Sequence, residues 1–211
     1  MRLADATTLF RVFIAIVVVY LVLIFFNPYI ILLLIIAERI IDALDGFFAR
    51  YEESKGKLGF WRYVDGAVFG NTAARNEIRK YNAAMQKSAP HGARFDIAGD
   101  RAVEYIFWAL FTYISLVPLF VFIIVIIRHS FVDALMAGKG TASKIRSRFA
   151  QVVYASNAGR FLINVPKVLT FGYLPFVYIY GWPLWIGYVF MALLVFNILL
   201  RGAAEVYESF A

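Results

Sequence analysis

Residues 29–50 read YIILLLIIAERIIDALDGFFAR. Tyr29 to Ala37 are apolar without a break. Glu38, Arg39, Asp42, Asp45 and Arg50 then enter the same run. This is the pattern of a membrane-spanning helix whose inner end turns polar. A charge at membrane depth costs about 2.5–3.5 kcal/mol on insertion scales, so these aspartates need a reason to be there. On a helix, Asp42, Asp45 and Ala49 share one face. A second stretch, HGARFDIAGDR at 91–101, sets Gly92, Asp96 and Asp100 four residues apart, again on one stripe. Two such helices facing each other bring four carboxylates together. Carboxylates repel unless cations lie between them, so the arrangement asks for metal. Oxygen-only ligands favour a hard ion, Mg²⁺ or Mn²⁺. The competing reading is a structural ion network, with Asp42 paired to Arg39 and Asp100 to Arg101. Packing alone gives little reason for four carboxylates with glycines at fixed offsets.

Working outward, composition agrees with a membrane setting. The chain has 211 residues, 62% of them hydrophobic, and a mean hydropathy of +0.72. A soluble domain has roughly 45–50% apolar residues. The reading is an all-α, polytopic membrane protein formed as a single domain over residues 1–211. No cysteine is present, which excludes disulfides and thiolate metal sites. The net charge of +7 would fit a nucleic-acid partner, but its distribution fits membrane topology better, so no nucleic acid is expected.

Six spans are expected. The first is apolar from Val12 to Phe26 and reaches spanning length with Thr8–Arg11; it lacks a following small-residue cleavage site and reads as a span rather than a leader. Asn27-Pro28 makes a turn, and the second span runs from about Tyr29 to Arg50. The third runs from Gly92 to about Ser115, and the fourth from Pro118 to between Arg128 and Leu135. The fifth covers roughly 149–180, with Pro166 as a kink, and the sixth Leu184–Leu200. From Arg201 the chain reads as a polar tail. Residues 51–91 lack a run long enough to span. Within Thr72–Ser88, Ala74, Ile78, Tyr81 and Met85 recur at helical spacing beside Arg75, Arg79 and Lys80. That pattern fits an amphipathic helix on the bilayer surface, or equally a solvated helix packed on its own protein.

The turns at Asn27–Tyr29, Ser115–Pro118 and Tyr180–Pro183 contain no Lys or Arg, and all 21 basic residues lie elsewhere. By the positive-inside rule both termini are cytoplasmic. Residues 51–91 then form a cytoplasmic interfacial insertion between helices two and three, and both aspartate groups meet the cytoplasmic face of the cell membrane.

Written as D-x2-D-G-x2-A-R followed by G-x3-D-x3-D, the two stretches resemble the signature of the CDP-alcohol phosphatidyltransferases, integral membrane enzymes of phospholipid head-group synthesis. All eight signature positions match. Family members usually have a much shorter connection between the Arg and the second Gly; here residues 51–91 intervene. The nearer candidate Asp65-Gly66 is a decoy, because the usual spacing would put Tyr63 and Ala67 where carboxylates belong, and Asp65 reads as a turn residue. The resemblance implies transfer of a phosphatidyl or archaetidyl group from a CDP-linked lipid to an alcohol hydroxyl, with release of CMP. It implies two metal ions, with Asp42, Asp45, Asp96 and Asp100 as ligands and Asp100 also as the base that takes the alcohol proton. Gly46 and Ala49 let the nucleotide approach the helix, Arg50 offers a planar fork to the diphosphate, and Gly92 allows close helix approach. It also implies a homodimer.

For the acceptor, Arg128, Arg160 and Lys139 are the candidate phosphate-binding residues. IVIIRHSFVDAL followed by SNAGRFLIN is similar to the glycerol-phosphate branch. That branch has an acid where His129 stands and usually a Lys at Arg160, which leaves inositol phosphate open and serine as a third choice. Two other classes compete. A membrane prenyltransferase usually has more spans and lacks D-G-x2-A-R. A small ion channel or carrier often has two related halves, and none is visible here.

Overall fold

The computed structural model describes residues 3–88, 92–137, 147, 153 and 157–210; the side chains at 68, 83, 85–88, 93, 136, 137, 157, 158 and 160 are not among those described. Every regular element among these residues is helical. The first helix, α1, is Leu3–Leu23. It stops where Phe25 adopts φ 56°, with the Phe26 N–H donating to the Leu21 carbonyl at 2.9 Å. Asn27 caps the next helix by accepting the Tyr29 N–H at 2.9 Å. Proline suits the first position of a helix, and α2 runs Pro28–Glu53. A short helix α3, Phe60–Val64, passes into a π-helical turn at Asp65–Phe69. Gly70, at φ 82°, ends that turn. Asn71 then caps α4, Thr72–Ser88, through the N–H groups of Ala73 and Ala74 at 3.0 and 3.3 Å. The remaining helices are α5, Gly92–Tyr113; α6, Leu119–Ala137; α7, Asn157–Tyr180; and α8, Leu184–Phe210.

Among the described residues, three stretches are long and apolar enough to cross a membrane: Leu3–Leu23, Phe161–Tyr180 and Leu184–Phe210. α2 and α5 have the length, but Glu38, Arg39, Asp42 and Asp45 in one and Asp96, Asp100, Arg101 and Glu104 in the other lower their hydropathy. Along α8, Trp185, Val189, Leu193 and Phe196 are exposed at helical spacing, a stripe suited to hydrocarbon.

The chain divides into two compact units. The first is Met1–Ile14 with Ala37–Val103. In it Ala74 and Ile78 of α4 are buried while Arg75, Arg79 and Lys80 are exposed, so the helix is amphipathic as its spacing implied. A Cβ on Gly66 would lie 2.9 Å from the Ala74 backbone, so the π-turn and α4 touch through a glycine.

The second unit is Ala15–Ile36 with Glu104–Ala211. Phe107 and Trp108 of α5 pack on Phe171 of α7 with ring centroids 5.2 Å apart, and Phe111 stacks on it at 6.1 Å. Both α6 and α7 pack on α8.

Two features differ from the sequence reading. Arg201–Phe210 is not a polar tail: α8 continues through it, with Ala204, Glu205 and Glu208 buried. Glu205 binds Arg128, and Glu208 accepts the Ser147 N–H at 2.9 Å, so polar partners keep that face inside where hydropathy would not. Asp65 is not a simple turn residue; it opens the π-turn, and its carbonyl accepts the Asn71 N–H at 3.1 Å. The start expected at about 149 lies outside the described residues; within them this helix is Asn157–Tyr180.

Candidate functional site

The site lies wholly in the first unit and is built by α1, α2 and α5. Gly99 of α5 meets Thr8 of α1 so closely that a Cβ at 99 would collide with the Thr8 methyl. Asp100 follows that contact, Asp96 lies almost one turn before it, and Arg11 lies three residues beyond Thr8. Close approach at one glycine therefore delivers an arginine from α1 to the aspartates of α5.

Arg11 has no solvent exposure and is surrounded by carboxylates. Its Nη1 is 2.7 Å from Asp42 Oδ1, 3.3 Å from Asp45 Oδ2 and 3.6 Å from Asp96 Oδ1. Its Nε donates to Glu38 Oε1 at 3.0 Å, and its Nη2 donates to Asp100 Oδ1. A guanidinium spreads its charge and five N–H donors over one plane, so Arg11 hydrogen-bonds Glu38, Asp45 and Asp100 and ion-pairs Asp42 and Asp96 as well. Arg39 binds Glu38 and lies 3.7 Å from Asp42 Oδ2. The ion-network reading thus holds for Asp42 and Arg39, whereas Asp100 reaches Arg11.

Carboxylate oxygens of Asp42, Asp96 and Asp100 lie within 4.8 Å of one another, close enough to hold one metal ion. Asp45 shares Arg11 with them but is not in that close group; its Oδ1 is buried with no hydrogen-bond partner among the described residues. Exposure grades across the cluster. The side chains of Asp96 and Asp100 are 51% and 36% exposed, Asp42 is 21% exposed, and Asp45 8%. The more exposed carboxylates of the cluster are therefore those of α5. The donor set fits a hard divalent cation. All its atoms are carboxylate oxygens, and five acids face two guanidinium groups, which leaves an excess of negative charge.

Gly46, Ala49 and Arg50 follow Asp45 on α2, and Gly92 opens α5. Arg128 is buried in α6, and its Nη2 donates to Glu205 Oε2 at 2.6 Å. Arg160 lies in α7, with its side chain outside the described residues, and Lys139 lies outside them altogether.

The second unit holds its own buried polar network. Lys167 Nζ donates to Glu104 Oε2 at 2.8 Å, and His129 Nε2 is 3.3 Å from Glu104 Oε1. His129 Nδ1 is 2.8 Å from Arg128 Nη1. Arginine only donates, so Nδ1 is the acceptor and the imidazole proton sits on Nε2, facing Glu104. This network joins α5, α6, α7 and α8.

Residues 1–61 match the CDP-alcohol phosphatidyltransferase family. The match takes in Arg11 and the whole of D-x2-D-G-x2-A-R; Asp96 and Asp100 lie beyond it and meet the family's first aspartates through Arg11. That family acts in phospholipid head-group transfer and uses divalent metals. No curated protein and no solved structure matches the chain.

Arg11 and Glu38 were not singled out in the sequence reading. A signal was present for both. Each is an ionisable residue inside an apolar run, the circumstance in which a partner or a function is the default expectation.

Proposed function

We propose that the whole chain is a metal-dependent CDP-alcohol phosphatidyltransferase. It transfers a phosphatidyl or archaetidyl group from a CDP-linked lipid to the hydroxyl of a small alcohol and releases CMP. The observation that carries this reading is the meeting of Asp42, Asp96 and Asp100 within 4.8 Å, with the first of them inside the family match.

Asp42, Asp45 and Asp96 would hold Mg²⁺ or Mn²⁺, with Asp100 shared between ligand and base. Bound there, two metal ions would neutralise the diphosphate and stabilise the leaving oxygen. Asp100 accepts the alcohol proton on a carboxylate oxygen as the new oxygen–phosphorus bond forms and the bond to CMP breaks. Its partial exposure supports that role, because a base must reach the hydroxyl directly or through one water. Arg11 holds Asp100 and Asp42 in register. Arg50 binds the diphosphate beside Gly46 and Ala49, and Gly92 lets α5 approach α2.

The acceptor proposed is a phosphorylated polyol, glycerol 3-phosphate ahead of inositol phosphate, drawn by the positive charge of Arg128, Arg160 and Lys139. A phosphomonoester carries about −1.5 to −2 charge at neutral pH, so cations beyond the metals are needed. The topology proposed is one domain of six spans, both termini cytoplasmic, with residues 51–91 an interfacial cytoplasmic insertion in the cell membrane. The three basic-free turns support it. A homodimer is proposed from the family resemblance.

The test is CMP release from CDP-diacylglycerol and its ether-linked isoprenoid counterpart, with Mn²⁺ or Mg²⁺, against a panel of alcohols. Release that depends on a phosphorylated polyol and stops with EDTA is expected. Serine outcompeting every phosphorylated alcohol would overturn the acceptor, and no CMP release with any alcohol would overturn the reaction.

A further inference from the structure

The connection of residues 51–91 is where this chain departs from the family pattern, and part of it is packed against the signature helix. Arg50 Nε donates to Asn82 Oδ1 of α4 at 2.7 Å. Arg50 Nη1 donates to the Gly46 carbonyl and lies 3.5 Å from the Tyr63 hydroxyl of α3. The guanidinium carbon sits 5.4 Å from the centre of the Tyr63 ring, within cation–π range. Tyr63 is itself anchored, with its ring centroid 5.5 Å from that of Phe47, and Phe60 meets the same Phe47 edge-on at 5.4 Å. A Cβ on Gly46 would lie 2.7 Å from Arg50 Nη1 and 3.1 Å from the Tyr63 hydroxyl. Glycine at 46 therefore admits the folded-back guanidinium as well as any nucleotide.

We propose that the insertion completes the diphosphate-binding site, with Asn82 and Tyr63 as positioning residues for Arg50. The inference rests on the reading of Arg50 as a diphosphate ligand. Arginine loses much rotamer freedom when it is fixed. Asn82 bonds Nε, and Tyr63 covers one face of the plane, so the guanidinium is oriented before the CDP-linked lipid arrives. Preorganisation of this kind lowers the cost of binding. The insertion is then part of the donor-substrate site and has no part in acceptor recognition.

The experiment uses the full chain in lipid nanodiscs with Mn²⁺, varying CDP-lipid and acceptor separately for Asn82→Ala, the near-isosteric Asn82→Asp, Arg50→Ala and the double variant Asn82→Ala/Arg50→Ala. Asn82→Ala is expected to raise KM for the CDP-lipid about tenfold, the worth of one charge-assisted hydrogen bond, with kcat, acceptor KM and thermal midpoint unchanged. Asn82→Asp should raise the same KM, because its carboxylate competes with the diphosphate for Arg50. The double variant should be no worse than Arg50→Ala, as expected for residues acting through one group. If Arg50→Ala raises this KM while both Asn82 variants behave as the parent, the insertion has no such role and Arg50 keeps its own. If Asn82→Ala instead lowers the thermal midpoint and raises both KM values together, Asn82 is structural only and the inference fails. A normal CDP-lipid KM in Arg50→Ala overturns the reading of Arg50 and this inference with it.

Discussion

Replacing Arg11 by Met tests whether one buried guanidinium holds the carboxylate cluster together. Methionine keeps an unbranched apolar stem, shorter than arginine's, and removes the charge. The side chain removed is fully buried and has five acids around it, four of them within 3.3 Å. Two carboxylates at the 4.8 Å limit of the Asp42–Asp96–Asp100 group repel by about 3.5 kcal/mol at an effective dielectric constant of about 20. Removing one partner of a buried ion pair costs about 3–5 kcal/mol, and Arg39 remains to screen only Glu38 and Asp42. A loss of ~3–5 kcal/mol is therefore expected without divalent metal, or roughly 6–20 °C in Tm for a chain of this size. Tm is measured in detergent with EDTA and again with millimolar Mg²⁺. The deficit should shrink with metal, because a divalent ion supplies the missing positive charge. Arg11→Lys should fall between parent and Met, since an ammonium keeps the charge but not the planar fork. A Met variant as stable as the parent in EDTA would refute the reasoning. So would a deficit that millimolar Mg²⁺ leaves untouched.

Asp96→Ala should remove nearly all turnover and leave the helical circular dichroism unchanged, because its side chain is half exposed and its pair with Arg11 is the longest of the five. Gly99→Val should lower Tm and turnover together, since a branched side chain there collides with Thr8 and separates α5 from Arg11; a fully active Gly99→Val variant would mean that the close approach is dispensable. Glu205→Gln should destabilise by ~3–5 kcal/mol by leaving the buried Arg128 without its carboxylate, measured by thermal melting in detergent.

The aspartate stretches were legible because two periodicities coincide in them. Asp42 and Asp45 share a helical face, and Asp96 and Asp100 share another, so their meeting follows once α2 and α5 face each other. The caps were equally local: Asn27-Pro28 marks the start of α2, and the spacing within Thr72–Ser88 marks α4. Glu205 and Glu208 were less legible. Their segment lacks hydropathy, and what buries them is a partner 77 residues away in one case and 61 in the other. Gly99 stood unremarked beside Gly92, because its importance lies in what faces it across a helix pair.

The sequence by itself determined the chemistry on offer: an all-helical, apolar chain with oxygen-only ligands, no thiol, and acids spaced to share helical faces. Those are properties of composition and of single helices, set by backbone geometry and the cost of buried charge. Only the tertiary structure decided which charges meet. It placed Arg11 at the centre of five acids, left Asp45 beside the close group of three, and engaged Arg50 with Asn82 and Tyr63. Each pairing joins residues that are distant in the chain, and helix approach at small residues such as Gly99 selects among many partners that are equally compatible in sequence.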